Sequence, residues 1–351
     1  MPSRGAQVNR PVNLVYCSFV SNWLDVRSTL PIQALRMRGA NVRRLSNEIR
    51  FMPKIHDDAP RIILLQRCLN DPEAWPGVIK EAVLRDWLVV VERDDYPLTP
   101  VKSSRAKWAD SMQWDIFSAC HAVQTTTPQL RDLFLNYNSE VAVFPNHYGE
   151  MPKYRIGDKS KVRIFFGAFN RGEAWRPLLD VFNRVFRRHP NVAPVVIADQ
   201  EFYDAIDVPK KTFLKSCSYS EYLEHMSLCD IALLPLHDDI FTRHKSDVKF
   251  VEAGGTRNAV IASPTVYQDS IEHGKTGLIA RSEGEWEQAL ERLITDKAYR
   301  EKLADNAYHY VLENRMLIDR IHEWVDWYYD LWDRRKKLTE AMLERYPAGR
   351  P

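Results

Sequence analysis

The feature that most constrains the fold is a regular alternation of short apolar runs with segments of helical periodicity. The runs are continuous rather than alternating with polar residues, which is typical of strands buried on both faces of a parallel sheet. They fall at Val12–Val20, Arg61–Gln66, Trp87–Glu92, Ala122–Thr125 and Val141–Phe144, and again at Val162–Gly167, Val195–Asp199, Thr212–Leu214, Ile231–Leu236, Ala259–Ser263 and Leu278–Ala280. A polar stretch from Gly149 to Lys161 separates the two series. We therefore predict an α/β protein of two Rossmann-like, doubly wound domains that face each other across a ligand-binding cleft.

This alternation predicts domain boundaries near the polar stretch and before the C-terminal tail. We expect an N-terminal domain over 1–155, a second domain over 156–312 and a tail over 313–351. The tail is predicted to form one long amphipathic helix that packs back on the body, because its large apolar residues recur at helical spacing from Leu317 to Trp332. A second interpretation is that Trp327 and Tyr329, followed by the basic residues 334–337, make a peripheral contact with a membrane surface.

Composition excludes several classes of protein. The formal net charge of +2 gives no indication of a nucleic-acid partner. No run reaches the roughly 18 apolar residues of a membrane span, and the N-terminus has no apolar signal core. The five cysteines are odd in number and lack CxxC spacing, so we expect buried thiols rather than disulfides or zinc. We therefore expect a cytoplasmic protein; its oligomeric state is not indicated.

The residue types that carry chemistry concentrate between Phe241 and Gly255. A helix is predicted to begin near Ser246 or Asp247, either of which can cap it, and a helix N-terminus suits a phosphate. Lys245 and Lys249 are four apart and add positive charge on one face. Glu252 follows at a spacing suited to accepting the hydroxyls of a ribose. The alternative is that these are solvated surface charges, with Glu252 in a local ion pair.

This region resembles a known family. KSDVKFVEAGGTRNAVIASPTVYQDSIEHGKTGLIA, which begins at Lys245, is similar to the C-terminal domain of retaining GT-B glycosyltransferases of the group 1, or family-four, type. The resemblance continues through about residue 312, is weaker over 120–180, and extends to a subgroup found in envelope-polysaccharide clusters. It implies that the C-terminal domain binds a nucleoside-diphosphate sugar, UDP or GDP, while the N-terminal domain holds the acceptor. It also implies no metal and no further cofactor.

The resemblance also implies individual site residues. Glu252 matches the second Glu of the family's Glu-x7-Glu pair, which contacts the ribose, whereas His244 stands at the first Glu, which contacts the transferred sugar. Arg171, after Gly167, matches the family's diphosphate arginine. The family's nearby lysine is missing, and Lys249 is expected to replace it.

Candidates for acceptor chemistry lie in the N-terminal domain. Asp94 and Asp95 follow a predicted strand and could orient an acceptor hydroxyl, bind a metal ion, or only shape a loop. His121 precedes another strand and is either near the reacting centre or a structural histidine. A front-face retaining mechanism needs no separate general base, because the leaving phosphate can accept the proton.

The resulting hypothesis is a retaining hexosyltransferase that moves a sugar from a nucleoside diphosphate to a polysaccharide or a lipid-linked glycan, at the inner face of the membrane. One alternative is a nucleotide-sugar epimerase or hydrolase of the same fold, for which no carboxylate–base pair can be assigned. Another is a non-catalytic binding or scaffold subunit, which His244 in place of a glutamate would suit.

Overall fold

The computed structural model describes residues 10–18, 25–46, 49–67, 74–97, 114–152, 160–167 and 173–351. It divides into two compact units. Unit 1 comprises the described residues up to Asn146 together with Leu317–Pro351, and unit 2 comprises those from His147 to Met316. The tail after residue 316 therefore belongs with the N-terminal part of the chain.

Each unit is built on a parallel sheet of six strands. The strands of unit 1 are β1 (Asn13–Ser18), β2 (Asn41–Ser46), β3 (Arg61–Gln66), β4 (Leu88–Arg93), β5 (Ala122–Thr125) and β6 (Val141–Val143), in the order β2-β1-β3-β4-β5-β6. Those of unit 2 are β7 (Val162–Gly167), β8 (Val192–Ile197), β9 (Thr212–Leu214), β10 (Ile231–Leu234), β11 (Ala259–Ala262) and β12 (Leu278–Ile279), in the order β12-β11-β10-β7-β8-β9. Both orders are doubly wound. The predicted fold class is confirmed in each unit.

Helices connect the strands and cover both faces of each sheet. In unit 1 they are α1 (Leu30–Met37), α2 (Trp75–Leu84), α3 (Asp115–Ser118) and α4 (Pro128–Phe134). In unit 2 they are α5 (Leu179–Arg188), α6 (Gln200–Ala205), α7 (Tyr219–Ser227), α8 (Ile240–Arg243), α9 (Val248–Gly255), α10 (Pro264–Tyr267), α11 (Glu283–Thr295) and α12 (Lys297–Asn314). The tail adds α13 (Leu317–Arg320), α14 (His322–Asp333) and α15 (Arg335–Arg345). Within the described residues, no helix combines the length and the apolar character that a membrane span requires.

Local sequence signals set several helix starts. Thr127 accepts a hydrogen bond from the N–H of Leu130, 3.2 Å away, with Pro128 at the first helical position of α4. Ser218 and Glu221 form a complete capping box at α7. A cap depends only on residues within one turn, so both helix starts are encoded in the local sequence.

Strand β2 was not predicted, because it is not an apolar run. It lies at the edge of its sheet and carries Arg43 and Arg44 side by side. An edge strand tolerates charged residues, and they protect it from pairing with other chains. Periodicity that detects strands buried on both faces cannot detect such a strand.

The prediction of one long C-terminal helix was wrong, since the tail forms three. Helix α14 packs on one face of the unit 1 sheet, where Trp324 and Tyr328 are buried, and α15 packs on the other, where Met342 is buried. The break at Arg334 lets the chain pass from one face to the other. Trp327 stacks edge-on against Phe144.

The second aromatic residue of the membrane interpretation is also engaged within unit 1. The Tyr329 hydroxyl donates to the carbonyl of Pro11 over 2.8 Å, and the guanidinium of Arg10 lies over its ring. Both Trp327 and Tyr329 are therefore used for packing the tail.

Candidate functional site

The strand order of unit 2 defines where a ligand can enter. Strands β7 and β10 are neighbours at the point where the order reverses, and doubly wound folds bind ligands beyond the carboxyl ends of such strands. Gly167 ends β7, and α8 and α9 follow β10. A Cβ atom at Gly167 would meet a ring carbon of Tyr222 at 2.7 Å, so only glycine allows this strand end to lie against that ring. Arg171, the predicted diphosphate ligand, lies outside the described residues.

Helix α9 begins at Val248, so it does not include Lys245, which was predicted to share a helix face with Lys249. Lys245 precedes the helix, and its ammonium lies 4.3 Å from the centre of the Phe241 ring. Lys245 and Lys249 therefore do not share a helix face, contrary to the prediction. Ser246 lies between Lys245 and the N-cap position, which Asp247 occupies.

Asp247 does not cap the helix as expected. Its side chain makes no capping hydrogen bond, and both carboxylate oxygens are bound elsewhere. Arg315, at the end of α12, donates to them over 2.6 and 2.8 Å, and the Ser270 hydroxyl donates over 2.5 Å. The Arg315 and Ser270 bonds outweigh the effect of burial and hold the pKa of Asp247 below its usual value.

Lys249 and Glu252 form a partly enclosed ion pair on α9. The ammonium of Lys249 donates to Glu252 Oε2 over 2.7 Å and to the Tyr222 hydroxyl over 2.9 Å. Glu252 is only 2% exposed. Tyr219 also hydrogen-bonds to Glu252; burial and this carboxylate raise the pKa of the Tyr219 phenol. This contact is the local ion pair of the alternative interpretation, and it brings a cation, a carboxylate and two phenols together.

Tyr148 completes this cluster from the segment where the chain enters unit 2. Its ring is 1% exposed and lies against Gly255. Its hydroxyl has no hydrogen-bond partner among the described residues. Burial and the nearby Glu252 carboxylate raise its pKa. Sequence patterns could not identify Tyr148 because it lies about a hundred residues from α9.

His244 follows α8, three residues before Asp247. It is partly exposed, and its Nδ1 lies 2.6 Å from the carbonyl oxygen of Ile240. It therefore lies in the segment leading to the N-terminus of α9, where the resemblance puts the family's first glutamate.

Asp94 and Asp95 are both bound to Arg67. Arg67 donates to the two oxygens of Asp94 over 2.6 and 2.8 Å and to Asp95 over 2.7 Å. Burial opposes ionisation of Asp94, but Arg67 outweighs it and lowers the pKa of Asp94 to about 2. The described residues contain no group of three or more His, Cys, Asp or Glu side chains arranged for a metal ion.

His121 lies in the core of unit 1. It is 1% exposed, its Nδ1 accepts the N–H of Val89 over 2.9 Å, and its Nε2 lies 3.2 Å from the Thr339 hydroxyl. Burial lowers its pKa to about 3. These contacts fit the structural reading of this histidine.

A buried polar chain in unit 1 was missed from the sequence. Arg27 Nε donates to Glu92 over 2.8 Å, and Gln124 donates to the other Glu92 oxygen over 2.6 Å. The Tyr328 hydroxyl donates to Gln124 over 3.0 Å, which links the tail to the strand ends. The available signal was that polar residues end apolar runs at β3, β4 and β5, as Gln66 and Glu92 do.

Comparisons with known proteins bear on the fold. No protein-family model and no curated protein matches the sequence. Among solved structures, the chain is similar to sucrose-phosphate synthase (tll1590) from Thermosynechococcus elongatus, with a TM-score of 0.65 and 13% identity over 92% of this chain and 99% of that one. It is also similar to WaaG, a glycosyltransferase involved in lipopolysaccharide biosynthesis, with a TM-score of 0.60 and 14% identity over 89% and 98%.

Two further neighbours differ in how much of their length is matched. Anabaena Alr3699/HepE, solved in complex with UDP-glucose, has a TM-score of 0.57 and 13% identity over 90% of this chain and 98% of its own. TarM is longer, and the chain spans about half of it, 54%, with a TM-score of 0.57 and 11% identity. At these identities the likeness establishes the fold, which is that of GT-B glycosyltransferases.

Proposed function

We propose that this chain is a metal-independent, retaining hexosyltransferase that transfers a sugar from a nucleoside-diphosphate sugar to a polysaccharide or lipid-linked glycan. The observation that carries the proposal is the Lys249–Glu252 pair on the helix after β10, beside the strand switch point of a GT-B fold. In this proposal unit 2 binds the donor and unit 1 holds the acceptor. The UDP-glucose complex of HepE favours UDP over GDP as the donor nucleotide.

Each donor contact has a physical role. The first turn of α9 presents backbone N–H groups and a partial positive charge to the diphosphate, and Lys249 adds a full charge. Glu252 accepts the ribose hydroxyls. Gly167 allows close backbone approach, while Arg171, Lys245 and Ser246 supply further contacts to the phosphates.

The same groups stabilise the leaving diphosphate, where negative charge develops as the sugar bond breaks. Fixed dipoles and basic side chains do this without a metal. The leaving phosphate then accepts the acceptor's proton, so the reaction requires no buried histidine, and His121 has no part in it. His244 is proposed to contact the transferred sugar in place of the family's glutamate. Asp94 and Asp95, both bound to Arg67, are proposed to orient the acceptor hydroxyl.

The proposed acceptor also sets the place of action. A lipid-linked glycan is presented at a membrane surface, and nucleotide sugars are water-soluble. We therefore propose that the protein acts in the cytoplasm, at the inner face of the membrane, and that the lipid-linked acceptor brings it there.

A donor panel tests this function. The protein is incubated with UDP-, GDP- and dTDP-sugars, and release of the nucleoside diphosphate is measured. Lys249→Ala and Glu252→Ala are expected to lower release at least about 100-fold, because each removes a charged contact to the donor. The matched controls are Lys275→Ala and Glu272→Ala, an exposed ion pair of the same i, i+3 spacing, which should leave release unchanged.

Four outcomes would contradict parts of the proposal. Release that survives in the Lys249 and Glu252 variants removes the site assignment. Calorimetry without binding of any nucleotide excludes an enzyme acting on nucleotide sugars and leaves a scaffold subunit. An epimerised sugar still attached to its nucleotide identifies an epimerase. Loss of turnover with EDTA contradicts a metal-independent reaction.

A further inference from the structure

The N-cap of α9 holds an acidic residue that does not behave as a cap. An aspartate at this position ordinarily turns its carboxylate over the first turn and accepts hydrogen bonds from its N–H groups. That arrangement would put a negative charge where an anionic ligand binds. In this chain the Asp247 carboxylate makes no such bond.

Three donors account for the turned-away carboxylate. Two are the guanidinium nitrogens of Arg315, which hold one carboxylate oxygen each over 2.6 and 2.8 Å, and the third is the Ser270 hydroxyl. The side chains of Arg315 and Asp247 are 10% and 12% exposed. A two-point guanidinium contact of this kind fixes both distance and orientation.

Arg315 is itself held in place by its backbone. Its N–H donates to the carbonyl of Val311 over 2.8 Å, and its carbonyl accepts the N–H of Tyr148 over 2.7 Å. Tyr148 in turn lies against Gly255 of α9. Arg315 therefore contacts the start of α9 through Asp247 and, through Tyr148, is linked to Gly255 at its end.

A second feature of the same cluster is the hydroxyl of Tyr148. The buried Tyr148 hydroxyl lacks a hydrogen-bond partner among the described residues and lies near Glu252. Buried hydroxyls are nearly always paired, and an unpaired one costs free energy. The Tyr148 hydroxyl can therefore make a hydrogen bond to a molecule bound beside Glu252.

We propose that Arg315 and Ser270 are positioning residues that keep the Asp247 carboxylate off the first turn of α9, so that its N–H groups can bind the donor diphosphate. Without Arg315, the carboxylate returns to the capping position and competes with the diphosphate by both charge and hydrogen bonding. The inference rests on the proposed function, since it requires a nucleoside diphosphate at this helix.

Calorimetry on the whole chain tests the inference by comparing the binding of UDP with that of uridine, which lacks phosphates. If the wild-type protein prefers GDP, GDP and guanosine are used instead. Arg315→Gln is expected to weaken UDP binding by about tenfold or more, the effect of one charge or cap, while uridine binding stays unchanged. The double variant Arg315→Gln/Asp247→Ala is expected to restore UDP binding to within about threefold, because no carboxylate is left to compete.

A control pair isolates the effect of position. Arg184 also makes a two-point contact to a carboxylate, that of Glu287 on α11, over 3.2 and 2.7 Å. This pair is more exposed than Arg315–Asp247, at 49% and 26%, and lies elsewhere in unit 2. Arg184→Gln removes its two-point contact and should leave UDP binding unchanged. If Arg315→Gln does not fold, Arg315→Lys keeps the charge without the two-point contact, and its smaller loss should also disappear with Asp247→Ala.

The outcomes separate the inference from the proposed function. A wild-type protein that binds no nucleotide refutes the proposed function, and the inference falls with it. Wild-type binding that is equally strong in Arg315→Gln refutes only the inference. The inference is also refuted if the loss of UDP binding is not reversed by Asp247→Ala, or if UDP and uridine lose binding equally. In either case Arg315 only supports the structure.

Discussion

At the scale of single residues, the adjacent glycines Gly254 and Gly255 allow other side chains to pack closely against α9. A Cβ at Gly254 would lie 2.9 Å from a methyl carbon of Val311 on α12, and one at Gly255 would meet the Tyr148 ring. Neither glycine has a positive φ. Their role is therefore close packing rather than an unusual backbone. Their packing neighbours, Val311 and Tyr148, lie far from α9 in the chain and could not be predicted from the local sequence.

Gly255→Ala tests this role. The added methyl would lie 2.6 Å from Tyr148 Cδ2, so the ring or the helix must move. We expect the free energy of unfolding to fall by about 2 kcal/mol, typical of overpacking in a core. Chemical denaturation of the protein measures the free energy of unfolding of unit 2. The control is Gly284→Ala in α11, where no atom lies within 4 Å of the added Cβ. Gly284→Ala should be neutral or stabilising, and an equal effect of the two changes would contradict the packing role.

At the scale of elements, the carboxyl ends of β3 and β4 are joined by an arginine that binds two carboxylates. Arg67, directly after β3, adopts a left-handed backbone with φ of 50° and reaches Asp94 and Asp95 after β4. Neighbouring parallel strands end at the same edge of a sheet, which brings these residues together. The sequence identified the two acids. It could not identify their partner, because strand order is not encoded locally.

Because of the Arg67 contact, the stability of unit 1 is expected to fall at acid pH. The folded pKa of Asp94, about 2, lies below its usual value of 3.8, so its contribution is complete above the usual value and is lost as pH falls towards about 2. We expect Asp94→Asn to lower the free energy of unfolding by about 2 kcal/mol at neutral pH, and the difference from wild type to shrink at about pH 3. Urea unfolding at both pH values measures it.

Asp132→Asn is the control for this pH dependence. The Asp132 side chain is 73% exposed, and its nearest basic group is 3.9 Å away, so its removal should change little at either pH. A loss in Asp94→Asn that is the same at neutral and acid pH would show that the charge of Asp94 is not what stabilises the fold.

At the scale of the whole molecule, the tail completes unit 1. Tyr328 on α14 joins the buried chain that includes Gln124 and Glu92, and Arg334 makes a two-point contact with Glu140. Helix α15 then buries Met342 on the opposite face. Unit 1 is therefore assembled from the two ends of the chain, with unit 2 inserted between them.

Met342→Ala tests the contribution of the tail. Met342 is fully buried, and truncating such a residue leaves a cavity, so we expect a loss of about 3 kcal/mol. Hydrogen exchange is the readout, and protection should fall in β3, β4 and β5 but not in unit 2. Met37→Ala, at a methionine that is 71% exposed, should have almost no effect. Equal loss of protection in both units would contradict the assignment of the tail to unit 1.

Features that depend on neighbouring residues are encoded in the local sequence. Strands in the interior of a parallel sheet are continuous apolar runs, and eleven of the twelve described strands fall in runs predicted from the sequence. Helix starts need caps within one turn, as at Thr127 and Ser218. The motif at Lys249 and Glu252 is likewise contained in one helix. Contacts between distant groups depend on the fold, and one example is the contact of Asp247 with Arg315, 68 residues away. The reason is physical: a carboxylate binds whichever donor the strand and helix order brings beside it, and that order is a property of the whole chain.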